Sequence, residues 1–235
     1  MDVAIVGATG LVGQVIFEIL DKSKIKIDNI YAVASERSVG QSIKFKGADI
    51  KIISIENVLQ NKIDVAIFSA GKEVSLKWAP IFVNEGIYVI DNSSAWRMDV
   101  TKRLIVPEIN GHILQKEDKI IPNPNCSTIQ MVMAIHNIHR KYNILRIIVS
   151  TYQSISGTGR KAIAQLDGEE NNTNTEKVYP HQIYKNAIPH CDEFEENGYT
   201  KEELNRVTES NNSLGSIISI TATGVPVTCT DLRAN

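Results

Sequence analysis

A short apolar run, Val3-Ala4-Ile5-Val6, ends in Gly7-Ala8-Thr9-Gly10-Leu11-Val12-Gly13, and an amphipathic stretch from Gln14 to Leu20 follows. An unbroken apolar run of this length is the pattern of a strand covered on both faces. Strand, glycine turn and helix in this order are the setting in which a glycine fingerprint carries meaning. Gly7 takes the tight turn, Gly10 lets the backbone approach a pyrophosphate, and Gly13 lets the helix pack closely on the strand. Phosphate oxygens would then meet the N–H groups at the positive helix end. The alternative is a plain β-turn-α unit that binds nothing. Three glycines in register directly behind a first strand favour the dinucleotide.

A second strand, Ile30-Tyr31-Ala32-Val33-Ala34, ends in Ser35-Glu36-Arg37-Ser38-Val39-Gly40, where such folds read the adenosine ribose. An acid there favours a free 2′-hydroxyl, and an arginine with hydroxyls favours a 2′-phosphate. Both are present. Ser35, Arg37 and Ser38 outweigh Glu36, which reads as a solvated loop charge, so the expected cofactor is NADP. Further strands follow in βα rhythm, Val65 to Phe68 before Ser69-Ala70-Gly71 and Ile87 to Ile90 before Asp91-Asn92-Ser93-Ser94, with a helical pattern from Val74 to Asn84 between them. The expected class is α/β, with a Rossmann-type, doubly wound parallel sheet. Its ligand side is the carboxyl ends of the strands. Ser94-Ala95-Trp96-Arg97 falls on such a loop, which makes Arg97 a candidate anion fork. The alternative is a surface arginine lying over Trp96.

Composition narrows the function classes. The 235 residues are 43% apolar, enough for one large or two modest cores. With 25 basic against 27 acidic residues and no Lys/Arg cluster, a nucleic-acid partner is not expected. No apolar run approaches the roughly 18 residues of a membrane helix. Met1-Asp2-Val3-Ala4 enters a strand at once, so neither a signal nor a transit peptide is expected and the chain reads as cytoplasmic. Three scattered cysteines give no disulfide framework and no Cys-x-x-Cys pair.

Pro122-Asn123-Pro124-Asn125-Cys126-Ser127-Thr128 precedes an apolar helical run, Ile129 to Ile138. The two prolines hold the approach extended, so the helix should begin near Cys126. A cysteine there sits in the positive dipole field, which favours the thiolate and makes a nucleophile. The alternative is a small residue packing a helix start, the reading preferred for Cys191 and Cys229. A strand is expected from Leu145 to Thr151, ending in Tyr152-Gln153-Ser154-Ile155-Ser156-Gly157-Thr158-Gly159. Gln153 could orient a substrate group or serve its own loop backbone. His136 and His139 lie three apart on a helix face with no acidic or cysteine partner nearby. They read as a surface pair, and no metal is expected.

Taken in order, GATGLVG, ASERSVG, FSAG, DNSSAWRMD, VPEINGH, PNPNCSTIQM, STYQSISGTG and NGYTKEE make the sequence resemble aspartate-β-semialdehyde dehydrogenase of the bacterial branch, from Val3 to about Thr223. The resemblance implies an NADP-binding Rossmann-type domain over 1–125 and an α+β catalytic and dimerisation domain over 126–235, incomplete at its end. It implies Cys126 as nucleophile with Gln153 beside it, Arg97 and Asn125 on the substrate phosphate, and Glu202 on the substrate. Gly7, Ala8, Thr9, Gly10, Leu11, Val12, Gly13, Ser35, Arg37, Ser38, Ser69 and Gly71 match the cofactor positions. The implied reaction converts aspartyl phosphate to aspartate semialdehyde and phosphate, in lysine, threonine and methionine synthesis, within a homo-oligomer built on a dimer. N-acetyl-γ-glutamyl-phosphate reductase shares this chemistry, but SSAWRMD and NGYTKEE argue against it.

The later part departs from the family pattern. Asn205 stands where the family places a substrate-binding lysine, and Arg206, about 100° round the helix, compensates only in part. After Thr223 the reading is Gly224-Val225-Pro226-Val227-Thr228-Cys229, without the family's carboxylate-binding arginine or its acid/base histidine. A nucleotide-binding protein with impaired catalysis is therefore the competing expectation.

Overall fold

The structure, a computed structural model, describes residues 1–228 and divides into two compact units, Met1–Pro124 and a second that begins at Asn125. In the first unit β1 (Asp2–Val6) leads through the glycine turn into α1 (Leu11–Lys22). β2 (Asn29–Val33) follows, then an edge hairpin of β3 (Ser42–Phe45) and β4 (Ala48–Ile53), and the single turn α2 (Ile55–Val58). β5 (Val65–Phe68), α3 (Lys72–Asn84), β6 (Tyr88–Asp91), the single turn α4 (Pro107–Asn110) and β7 (Ile120–Pro122) complete it. The seven strands lie in the order β3-β4-β2-β1-β5-β6-β7. All neighbours are parallel except β3 and β4.

The order turns back at β1, which has β2 on one side and β5 on the other. That makes the carboxyl ends of β1 and β5 the topological switch point, where doubly wound sheets bind ligands. Alternation along β1 explains the two covered faces. Val3 and Ile5 pack with Phe17 of α1, while Ala4 and Val6 pack with Ala79 and Phe82 of α3. The continuous apolar run is thus what a strand between two helical layers requires.

In the second unit α5 (Cys126–Tyr142) is followed by β8 (Arg146–Ser154), α6 (Arg160–Glu170), α7 (Lys201–Leu214) and β9 (Ser219–Val227). β8 and β9 pair in parallel from Arg146↔Ser219 to Ser154↔Val227. Ile155, Ala162, Leu166, Ile183 and Ile188 form a small core beside them. α7 opens with the capping box that Thr200 and Glu203 suggest, and closes on Gly215 in the left-handed conformation.

One expectation is corrected. β8 runs on to Ser154, so Tyr152 and Gln153 belong to a strand and not to a loop. The strand is held to that length by its pairing with β9, which the local sequence of β8 does not encode. His139 is half-buried and has structural partners: its Nε2 lies 3.1 Å from Ser216 Oγ, and its Nδ1 accepts the Ile144 backbone N–H at 3.1 Å. Among the described residues no group of three or more His, Cys, Asp or Glu could hold a metal, and no helix is long and apolar enough to cross a membrane. Cys229 lies outside the described residues.

Candidate active site

In the first unit the glycine turn is built by close approach. Gly7 has φ +94°, and a Cβ there would lie 2.4 Å from the Ser69 carbonyl oxygen. A Cβ on Gly13 would lie 2.1 Å from the Gly7 carbonyl oxygen. The turn therefore folds under its own helix and against the loop that starts at Ser69, leaving no room for side chains. α1 has no acidic residue in its first turn and no side-chain cap at Gly10. Its positive end is thus not neutralised from within, which suits a phosphate group. By contrast, α7 has Glu202 and Glu203 in its first turn.

Ser35, Glu36 and Arg37 are exposed, and residues 36–38 form a 3₁₀ turn at the end of β2 with Ser38 N–H on the Ser35 carbonyl at 2.8 Å. The residues expected from the sequence to meet a cofactor lie in the turns at the carboxyl ends of β1, β2 and β5 and in the first turn of α1. The set fits a dinucleotide: a backbone cradle that a Cβ would fill, a helix end without internal neutralisation, and an exposed arginine between serines.

Arg97 is anchored to its own loop and to the strand end beside it. Its Nε donates to the Asn123 carbonyl at 2.8 Å and its Nη2 to the Asn92 carbonyl at 3.0 Å. The loop before it is shaped by Asp91, which is fully buried and accepts from Ser75 Oγ, Ser93 N–H and Ser93 Oγ at 3.0, 3.0 and 2.8 Å. Trp96 joins the same knot through Nε1 to Ser75 Oγ at 2.9 Å. A buried carboxylate with three donors is well satisfied, and it leaves the Arg97 loop with one shape.

In the second unit Asn125 caps α5, its Oδ1 accepting from Ser127 N–H at 2.9 Å. Helix formation therefore starts at Cys126, as the prolines dictate. Cys126 is exposed, and its thiol lies 3.7 Å from Asn125 Oδ1. It lines an open pocket of about 420 Å³ together with Asn125, Gln153, His190, Cys191 and Glu202. Gln153 does not serve its own backbone. Its Oε1 accepts from Thr151 Oγ1 at 2.7 Å, and its Nε2 donates to Glu202 Oε1 at 2.9 Å.

The two described cysteines differ chemically although they share the pocket. Burial, reinforced by the Glu202 carboxylate, pushes the Cys191 thiol up to about 12. Cys191 is a packing residue, as expected; Cys126 stands at the exposed helix start. Burial also raises the Tyr179 hydroxyl above its ordinary value. His190 faces the pocket with its ring packed edge-on to Tyr179 and tilted on Phe194.

Sequence reasoning missed the framework behind these groups. Glu209 is fully buried and accepts the Asn125 N–H at 2.6 Å. Glu203 Oε1 accepts the Gly224 N–H at 2.8 Å. Arg206 is buried too, bonded to Ser127, Gln153 and Glu202. Its guanidinium is engaged in the interior, so it does not stand in for a lysine at position 205. The signal was the spacing of Glu202, Arg206 and Glu209, which places three charges along one face of α7.

Residues 2–117 match the family described as semialdehyde dehydrogenase, NAD binding domain, and residues 128–234 match semialdehyde dehydrogenase, dimerisation domain. The aspartate-semialdehyde dehydrogenase of Aquifex aeolicus is 47% identical over 218 residues, which are 88% of this chain and 64% of that protein. That of Shewanella violacea is 40% identical over 236 residues, 96% of this chain and 70% of the relative. The crystal structure of aspartate semialdehyde dehydrogenase II from Vibrio cholerae, 40% identical, superposes with a TM-score of 0.91 over 96% of this chain and 70% of that one. The same protein complexed with ASA gives a TM-score of 0.92. The chain thus spans about two thirds of the length of these relatives. Its two units, its glycine turn and its helix-initial cysteine have a common explanation: the chain belongs to the aspartate-semialdehyde dehydrogenase family.

Proposed function

We propose that the chain acts in the NADPH-dependent reductive dephosphorylation of L-aspartyl 4-phosphate to L-aspartate 4-semialdehyde. The observation that carries this is Cys126: an exposed thiol in the first turn of α5, lining a pocket with Gln153 and Glu202. Cys126 as thiolate attacks the acyl phosphate carbon, the C–O bond to phosphate breaks, and a thioester remains. NADPH, when bound, supplies the hydride that reduces the thioester. The tetrahedral carbon then collapses to the aldehyde, and the thiolate regains a proton. Gln153 offers an amide to the reacting group, Glu202 a carboxylate to the substrate, and Arg97 with Asn125 polar groups for its phosphate, a planar guanidinium being suited to two oxygens at once. Residues 7–13, Ser35, Arg37, Ser38, Ser69 and Gly71 would hold the cofactor.

Exposed apolar residues on β8, with Ile148 at 71% and Tyr152 at 69%, support assembly as a homodimer. The biosynthetic setting, toward lysine, threonine and methionine in the cytoplasm, follows the family. A second reading, NADP binding without turnover, is favoured by the stretch Gly224-Val225-Pro226-Val227, which offers no arginine or histidine.

Purified protein given aspartate semialdehyde, phosphate and NADP separates the two. Phosphate-dependent NADPH formation that Cys126→Ser abolishes supports the first. NADPH binding with no turnover supports the second. Arg37→Ala should erase most of the preference for NADP over NAD, because a charge-assisted contact is worth about 1.5–3 kcal/mol. Equal affinity of the parent protein for both cofactors removes the NADP assignment.

A further inference from the structure

Arg206 has no exposed surface, yet its guanidinium reaches three elements of the second unit. Nε donates to Ser127 Oγ at 3.0 Å, in the first turn of α5 beside Cys126. Nη2 donates to Gln153 Oε1 and to Glu202 Oε1, both at 3.0 Å. Burying a cation is costly, and an arrangement made only for stability would pair every donor. Here Nη1 is buried with no hydrogen-bond partner. A buried cation with one donor unpaired is a costly way to fill space, so the arginine points to a purpose other than packing.

The consequence falls on Gln153. Its Oε1 accepts from both Arg206 Nη2 and Thr151 Oγ1, and its Nε2 donates to Glu202. Turning the amide over would set its NH₂ group against a guanidinium donor and its oxygen against a carboxylate. The amide is therefore held in one orientation. One N–H of its NH₂ group is bonded to Glu202, and the nitrogen carries a second.

We propose that Arg206 is a positioning residue of the Cys126 pocket, a buried guanidinium that locks the Gln153 amide in the orientation from which its nitrogen can donate to an oxygen in that pocket. The benefit to a carbonyl oxygen of a group on Cys126 rests on the function proposed above. The locking of the amide does not.

The test uses the full chain with Arg206→Met and Arg206→Lys, read by the side-chain amide resonances of Gln153 in ¹⁵N-labelled protein and assigned by their loss in Gln153→Glu. In the parent protein the two N–H protons should be widely separated in shift and slow to exchange. Arg206→Met should keep the backbone spectrum outside its neighbours and collapse the Gln153 pair to solvent-like shifts, with a lowered melting temperature because Glu202 loses its buried partner. Arg206→Lys places one compact cation where three acceptors need a fork, so the pair should move partway. If Arg206→Met does not fold, Arg206→Lys decides by the same readout. An unchanged Gln153 pair in the folded variants overturns the proposal, since Thr151 and Glu202 alone would then hold the amide. In the phosphate-dependent assay Arg206→Met should lower kcat/KM tenfold or more. A parent protein without turnover would count against the proposed function, while the amide resonances would still decide the role of Arg206.

Discussion

The Sγ of Cys191 lies 2.8 Å from where a Cβ on Gly224 would sit, so these two residues share one side chain's worth of space. Gly224 is inside β9, and its N–H is held by Glu203 Oε1 at 2.8 Å, so the backbone cannot retreat. Gly224→Ala should therefore destabilise the second unit by about 1–3 kcal/mol, the usual range for overpacking. Cys191→Ala removes the obstructing sulfur. The double variant should recover most of the loss, a coupling that chemical denaturation of all four proteins measures. Simple additivity would show that strain is relieved elsewhere.

The first unit was readable because its signals are local. A strand between helices needs an apolar run, and a turn under a helix needs glycine where a Cβ would strike a carbonyl, as at Gly7 and Gly13. The edge hairpin β3–β4 had a signal too, in alternating residues around Lys46-Gly47, both at positive φ. In the second unit, the helix start at Cys126 and the capping box were legible for the same reason. The length of β8 and the burial of Arg206 and Glu209 were not. Each depends on a partner distant in sequence, β9 for the strand and residues 125–127 and 153 for the charges.

Gly13→Ala is the sharpest test of the glycine turn. Alanine gains about 1 kcal/mol of helix propensity over glycine. Against that, its Cβ would fall 2.1 Å from the Gly7 carbonyl oxygen, and both partners are backbone. The clash should win, with a net loss of about 1–3 kcal/mol or more. Gly111→Ala is the control: its Cβ would meet Pro107 at an ordinary 3.8 Å. Thermal unfolding should show a lowered midpoint for Gly13→Ala and nearly none for Gly111→Ala.

Glu169 supplies a pH dependence. Burial pushes its carboxyl upward, but bonds from Gln165 Nε2 and from the Tyr184 and Ile183 backbone N–H groups outweigh that and leave it below the usual glutamate value. A carboxyl depressed in the folded state contributes stability above its unfolded pKa and loses it as pH falls through the folded one. The parent should thus be more stable than Glu169→Gln at neutral pH, and the gap should close in the acid range below pH about 4. The group is partly solvated, so the gap should stay under about 1 kcal/mol. A gap that is constant from pH 7 to 3 would show that the charge plays no part.

The two described cysteines line one pocket but should behave as opposites toward an alkylating reagent. Only the thiolate reacts at a useful rate, so the ionised fraction at the working pH sets the order. With its thiol pushed up to about 12, Cys191 at pH 8 is ionised in only about one molecule in ten thousand, and it is buried as well. Cys126 is exposed at the first position of α5, where the helix end favours the anion. A brief iodoacetamide pulse at pH 7–8, read by peptide mass spectrometry, should label Cys126 at least a hundredfold faster than Cys191. Unfolding the protein in guanidinium should bring the two rates together, because burial and the helix end are both lost. Glu202→Gln should speed Cys191 labelling in the folded protein, since the Glu202 carboxylate is one of the influences raising that thiol, yet Cys191 should remain the slower site because burial is the largest of them. Faster labelling of Cys191 in the folded parent would remove Cys126 as the nucleophile and with it the proposed reaction path.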